Sequence, residues 1–528
     1  MNLKVQIKQQ PALYVALFII LLIGFGLRLF HLGQYPLGVN QDELSNIYDG
    51  YSIAETGADR WGQKFPVILK GFGELDYRPP MYAWLSAAVI KVFGLSVASG
   101  RVVSALLGCL SLVLIYLVAK RIGGSVFAFF ALLLAAFSPW HILFSRIASE
   151  GTMLPPFFLI SACYLWQRAK DASYKPISLA LLGLCIGLGT NTYQAGKLVF
   201  FLFAIMCLVD LWRWRTRFLA NAAIFSVCCL VGTIPQIIAL VAAPEQFFSR
   251  ANGTTEEYSW AFDSFNTFFR SLTSYINPEF LFFSFKGYNN LSMGRLLMVE
   301  FMPFYIGLFF IYRIVNKKQA ITTGHFYFLL FIAVIPSVLT KENPHALRAA
   351  SLIVLAPLIT AAGIVVIYRY INSPAIKKGF LFLATSLIVW NGVYFVKIYA
   401  RSEELRGQNM QVLLTKSTQK LAHYKDKFDF VYIEKGGNQP YIYVLTFCNI
   451  KPQDFQHITI ERNDAKNWDS FRRMGKYFFL NKEEIAARVK EVPAPSLILL
   501  SSKTTEYPVV DSVQYLDSKM YFYIYQGK

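Results

Sequence analysis

The chain has 528 residues, 55% of them hydrophobic and 16% aromatic, with a mean hydropathy of +0.41 and a formal net charge of +19. Charged residues are only 16%, against about a quarter in soluble globular proteins, and over residues 1–400 they are gathered into short loops between apolar blocks. This excludes an ordinary soluble enzyme, and a nucleic-acid surface is the poorer account of the positive charge, because Lys and Arg accumulate in the cytoplasmic loops of membrane proteins.

The first apolar run, Pro11–Phe30, follows Lys4 and Lys8 and leads into no small-x-small cleavage site. It reads as an uncleaved first span entering from the cytoplasm. Further runs near 101–119, 125–143, 152–167, 176–190, 198–212, 218–241, 296–312, 325–340, 349–368 and 378–398 are apolar and about long enough to cross a bilayer. Eleven spans starting inside put Lys120, Arg121, Arg168, Lys170, Lys175, Arg213, Arg215, Arg217, Arg313, Lys317, Lys318, Arg369, Lys377 and Lys378 in inside loops. The same count puts Asp42, Glu43, Asp49, Glu74, Asp76, Glu150, Glu256 and Glu257 outside. That is the positive-inside pattern. Met81–Gly94 is apolar, but a crossing there would invert every later basic loop. It is short, opens after Pro79-Pro80 and carries Lys91, so it reads as an interfacial helix on the outer leaflet.

Residues 1–400 thus read as one transmembrane module with a long external loop at 31–100 and a second at 244–295. Residues 401–528 read as an extracytoplasmic α/β domain. Its expected elements are a helix over Glu403–Tyr424 and strands at Phe430–Ile433, Tyr441–Phe447, Tyr477–Leu480, Ser496–Leu500 and Met520–Tyr525. Six of the seven cysteines lie in apolar blocks and none forms a CxxC, which fits small apolar helix residues better than a metal or disulfide framework.

Polar residues gather at the outer span ends. Asp42-Glu43 follows the first span and is a candidate general base or metal ligand, with a solvated helix start as the plain alternative. Arg101, Arg146 with Glu150, Tyr193 with Lys197, and Lys341, Glu342, His345 and Arg348 occupy other outer turns. A single cation at a span end is usually a snorkelling anchor. Four turns that place cations on the side where cations are disfavoured call for a reason, and a phosphate bound at the outer leaflet supplies one.

In this order the residues resemble the GT-C superfamily of membrane glycosyltransferases, close to the protein O-mannosyltransferases and the lipid A aminoarabinose transferases. The resemblance covers about residues 12–400. It rests on Asp42-Glu43 after the first span, then Arg78-Pro79-Pro80, then the Arg-x-x-Ser-Ala-x-x-Gly pattern from Arg101 to Gly108. Ser138-Pro139 and Ser145-Arg146-Ile147-Ala148 complete the set. The resemblance implies an α-helical polytopic fold of GT-C type, Asp42 as catalytic carboxylate with Glu43 beside it, and Arg78 and Arg101 in the site. It places Glu150 where related enzymes carry a second acidic motif. The segment Asn343–Arg348 matches, loosely, one that contacts the lipid phosphate. A divalent metal, if held, would take Asp42, Glu43 and Glu150, although one carboxylate at position 150 stands where an Asp-x-Asp would be expected. No motif identifies the C-terminal domain.

The expected activity is transfer of a sugar from a polyprenyl-phosphate donor to a hydroxyl on protein, glycan or lipid at the outer face. The substrate residues would be Arg78, Arg101, Arg146, Glu150, Tyr193, Lys197, His345 and Arg348. A transporter or flippase is the rival, expected to carry ionisable groups near the bilayer midplane and inverted repeats; a non-catalytic envelope scaffold is a further one. No nucleic-acid partner is expected.

Overall fold

The computed structural model describes residues 11–73, 76–215, 217–257, 262–283, 293–315, 321–401, 412–435, 439–462, 471–492, 494–514 and 521–527. Helix α1 is Pro11–Leu29. Helix α2, Gln41–Thr56, and a two-residue antiparallel hairpin, β1 (Leu69–Lys70) with β2 (Tyr77–Arg78), form the first loop with helix α3, Met81–Phe93. Next come α4 (Val97–Phe137), α5 (Pro139–Phe144), α6 (Leu154–Asp171), α7 (Pro176–Gly189), α8 (Gln194–Trp214) and α9 (Phe218–Ala242). They are followed by α10 (Pro244–Thr254), α11 (Phe262–Ser274), α12 (Phe301–Phe310), α13 (Thr323–Val338), α14 (Leu352–Tyr370) and α15 (Pro374–Arg401).

Among the described residues six helices are long and apolar enough to span a bilayer: α1, α4, α8, α9, α14 and α15. Helices α7 and α13 are apolar but shorter. Helix α4 joins two expected spans. The turn expected at Lys120-Arg121 is helical instead, and the break comes at Gly124, whose φ of 80° and ψ of −169° suit only glycine. The helices pack around one continuous apolar core to which α4, α14 and α13 contribute most. Exposed Phe18, Leu22, Phe201, Leu230, Phe309, Phe382 and Trp390 line the outer surface of this bundle, where a soluble protein would present charge.

The C-terminal domain begins with α16, Val412–Tyr424, then β3 (Phe430–Glu434), α17 (Pro440–Phe447), α18 (Pro452–His457), β4 (Ile460–Arg462), β5 (Phe471–Met474) and β6 (Tyr477–Leu480). It ends with α19 (Lys482–Glu491), β7 (Ser496–Leu500), β8 (Val509–Gln514) and β9 (Tyr521–Gly527). The seven strands run in the order β4-β5-β6-β3-β7-β9-β8. The central β6-β3-β7 are parallel and the flanks antiparallel. The expected strand at Tyr441–Phe447 is a helix. A proline starts it, and Tyr441 to Leu445 are all buried without alternation, so the short apolar run matched either period. The expected helix is confirmed from Val412 on; 403–411 and Met520 lie outside the described residues.

Candidate active site

Helix α2 starts at a capping box. The Asn40 side chain accepts from Asp42 N at 2.7 Å, and Glu43 Oε1 accepts from Asn40 N at 3.4 Å. Carboxylates in a first turn suit the helix dipole. Helical spacing then puts Asp42, Ser45, Asn46 and Asp49 on one face. Asn46 Nδ2 donates to Glu150 Oε2 at 2.7 Å, to Asp42 O at 3.1 Å and to Ala148 O at 3.3 Å, so one amide ties α2 to the turn after α5. Further along, Arg78 Nη2 donates to Asp49 Oδ2 at 2.7 Å and to Ser45 Oγ at 2.6 Å, and Arg60 Nη1 also reaches Ser45 Oγ at 2.6 Å. The hairpin carrying Arg78 is thereby fixed against α2.

Asp42 is the acidic side chain of this face left open to solvent; Glu43 and Asp49 are buried. Crowding by surrounding protein, reinforced by Glu150 and Asp76, lifts its carboxyl to about 6, while Arg250 and Arg78 pull it down. Arg250, on α10, pairs with Asp76 Oδ1 at 3.3 Å. Tyr193, just before α8, is buried, and its hydroxyl is raised by that burial, with Glu150 and Asp42 adding to the shift and Arg250 and Arg348 opposing it. Arg348 completes the cationic side. It donates to Thr340 Oγ1 at 2.8 Å and to Glu342 Oε2 at 3.3 Å. Beside it, burial and the Arg348 charge press His345 down to about 4, so His345 is neutral at physiological pH and contributes a dipole rather than a charge.

Three expected substrate ligands, Arg101, Arg146 and Lys197, have other tasks. Arg101 is fully buried and spends every N–H on protein: Glu43 Oε2 at 3.0 Å, Glu43 Oε1 at 3.1 Å, and the carbonyls of Leu32, Pro36 and Gly38 at 3.2, 3.0 and 2.9 Å. None is left for a phosphate. Glu43 also accepts from Ala148 N at 2.7 Å, so this carboxylate is a buried strut and not a second base. Arg146 caps the end of α1, donating to Leu27 O at 2.9 Å, Phe30 O at 2.8 Å and Tyr35 O at 3.0 Å. Lys197 lies with Nζ 3.5 Å from the Phe247 ring centroid, a cation–π contact that ties α8 to α10. The pattern from Arg101 to Gly108 now has a structural reading. Arg101 holds Glu43, Ser104 Oγ donates to Ile147 O at 2.7 Å, and a Cβ on Gly108 would collide with Ser145.

Below the 340–348 loop lies an apolar cavity of about 290 Å³, lined by Trp140, Leu272, Tyr275, Phe304, Phe331 and Val334 among others. Tyr275 marks its polar end: its hydroxyl donates to Asn343 Oδ1 at 2.8 Å and accepts from His345 N at 3.0 Å. Ile276 and Phe331 are exposed on its flank. The cavity therefore meets the loop that carries Arg348.

Among the described residues no group of three or more His, Cys, Asp or Glu side chains is placed to hold a metal. With Glu43 committed to Arg101 and Ala148, the expected triad of Asp42, Glu43 and Glu150 does not fit a metal.

Sequence reading missed Arg250, Asn46 and Arg60. Arg250 carried a usable signal, a cation on an outside loop against the charge bias, but it sits within that long loop and in no motif. Asn46 and Arg60 are common polar residues whose roles arise only from the fold.

A family profile described as dolichyl-phosphate-mannose-protein mannosyltransferase matches residues 77–238, under half of the chain. No curated protein matches the sequence. Among solved structures the chain is similar to ArnT from Cupriavidus metallidurans bound to undecaprenyl phosphate, at 13% identity and TM-score 0.57 over 98% of both chains. It is also similar to the Archaeoglobus fulgidus oligosaccharyltransferase in the apo form, at 12% identity and TM-score 0.54 over 93% of this chain and 70% of that one. At such identities the likeness establishes the fold. Residues 77–238 thus match the dolichyl-phosphate-mannose-protein mannosyltransferase family, and the chain as a whole has the fold of ArnT and the oligosaccharyltransferase.

Proposed function

We propose that the protein transfers a sugar from a polyprenyl-phosphate donor to a hydroxyl acceptor at the outer face of the membrane, with Asp42 as general base. The observation that carries this reading is the placement of Asp42. It is an open carboxylate within the fields of Arg78 and Arg250, Arg348 lies with Arg250 around Tyr193, and the loop that carries Arg348 meets an apolar cavity among the helices. A polyprenyl chain needs an apolar slot, its phosphate needs cations, and the acceptor needs a base at the same place.

The step follows from these parts. The acceptor oxygen attacks the anomeric carbon while its proton passes to Asp42 Oδ. The bond from that carbon to the phosphate oxygen breaks, and polyprenyl phosphate leaves with its charge met by Arg250 and Arg348. Glu43 and Arg101 hold the turn that presents Asp42, and Asn46 sets Glu150 beside it. The eleven-span topology, the interfacial position of α3 and the extracytoplasmic side of the C-terminal domain belong to the same reading. Helix α3 supports it by burying Tyr82, Ala83, Ser86 and Ile90 against its neighbours while exposing Leu85, Val92 and Phe93.

The test is release of undecaprenyl phosphate from undecaprenyl-phosphate-linked sugars by the purified chain in nanodiscs, with peptide, glycan and lipid acceptors. Wild type is expected to release it and Asp42→Asn to fail while remaining folded. Wild-type rates in Asp42→Asn would overturn the base assignment, and loss of wild-type activity on chelation would recast Asp42 as a ligand.

A further inference from the structure

The segment that delivers Asp42 is gripped from two directions. On the membrane side Arg101 takes the carbonyls of Leu32, Pro36 and Gly38. On the other side, hydrogen bonds come from the C-terminal domain. Tyr443 Oη donates to Val39 O at 2.7 Å, and Val39 N donates to Thr415 Oγ1 at 3.2 Å. Gln439 N donates to Gln41 Oε1 at 3.1 Å, and Tyr48 Oη donates to Ile450 O at 2.8 Å.

These bonds are not surface touches. Tyr443 and Tyr48 are fully buried, and Thr415 nearly so. Val39, Leu44 and Tyr48 belong to one apolar cluster with Tyr441, Val444 and Leu445 of α17 and Val431, Leu497 and Leu499 of the sheet. The two modules therefore share a core, whereas domains free to move against each other meet through smaller and more polar surfaces. Both main-chain groups of Val39 are committed, and Val39 precedes the Asn40 cap. The backbone that aims the first turn of α2 is thus fixed from outside the membrane module.

We propose that the C-terminal domain is a working part of the transferase centre: through Tyr443 and Thr415 it positions the Gly38–Asn40 backbone and so the Asp42 carboxylate. Tyr443 and Thr415 are positioning residues and touch no substrate. The activity arm of this proposal rests on the reading of Asp42 as base. A misplacement of about 1 Å at a reacting group can cost ~10²-fold in rate, so loss of either contact is expected to act on turnover.

The experiment uses the full chain in nanodiscs with Tyr443→Phe, Thr415→Val and, as control, Tyr525→Phe, whose hydroxyl bonds within the domain at Thr504 N. Two quantities are read: kinetics on undecaprenyl-phosphate-mannose, and amide hydrogen exchange of the peptide 37–46. The expected result for Tyr443→Phe and Thr415→Val is a kcat lower by roughly 10–100-fold with donor KM nearly unchanged, and faster exchange confined to 37–46. The control should show neither. Unchanged exchange at 37–46, a change in KM alone, or loosening spread over the whole chain would each overturn the proposal. If wild type transfers nothing from this donor, the kinetic arm moves to the other undecaprenyl-phosphate-linked sugars; failure with all of them sinks the functional reading by itself, and the exchange of 37–46 still decides the positioning claim.

Discussion

At the scale of single residues the site is a contest of charges around one carboxyl. Asp42 must be ionised to accept a proton, and its carboxyl is lifted to about 6. The rate should therefore be full above that pH and fall as pH drops through it, with the acid limb of kcat/KM near 6. Glu150 raises Asp42 and Arg250 lowers it, so Glu150→Gln should move the limb to lower pH and Arg250→Gln to higher pH in a pH–rate profile. Asp42→Asn removes the base altogether, at an expected cost of about 10²–10⁴-fold in kcat. Arg101 behaves otherwise. Its loss leaves Glu43 buried and unpaired, so Arg101→Ala should lower stability by about 3–5 kcal/mol, seen as a fall in Tm, and not act first on donor affinity. Arg348→Ala is the variant expected to raise donor KM while the fold survives, since its partners Thr340 and Glu342 are partly exposed.

At the scale of elements the apolar cavity between α11, α12, α13 and α14 is the feature with the clearest consequence. A bulky side chain at Ala356, which lines it, should fill the space. Ala356→Trp is expected to raise KM for a polyprenyl-phosphate donor and to spare short-chain analogues that do not reach the slot; equal effects on both would detach the cavity from the donor. Helix α3 was legible as a short helix from its proline start, its length and its lysine. The structure adds that Trp84 Nε1 donates to Pro66 O and Lys91 Nζ to Ala54 O, which bind α3 to the first loop. The short helix α17 was read as a strand because a fully buried seven- or eight-residue apolar run has no distinguishing period.

At the scale of the molecule the shared core of α2 and the C-terminal sheet puts residues 401–528 on the same side as the first loop. An impermeant thiol reagent added to intact cells should label Gln63→Cys and Glu461→Cys and spare Lys377→Cys; the reverse pattern would invert the topology. This expectation joins two independent observations, the basic loops counted along the sequence and the contacts of Tyr443 and Tyr48 with the other module.

The sequence by itself determined the multi-pass membrane character and the order of apolar blocks, and it pointed to the Asp42-Glu43 pair and to the side on which basic loops gather. Hydrophobicity, charge bias and motif order are properties of local stretches and survive without coordinates. Only the tertiary structure decided which of two adjacent carboxylates stays open and which is locked to Arg101, because that depends on where helix α4 crosses α2. It also decided that Arg101 and Arg146 are braces, that Arg250 on α10 comes to face Asp42, and that the C-terminal domain backs the turn before α2. A side chain's partners are set by residues tens to hundreds of positions away, and an arginine bound to carbonyls is spelled the same as one waiting for a phosphate.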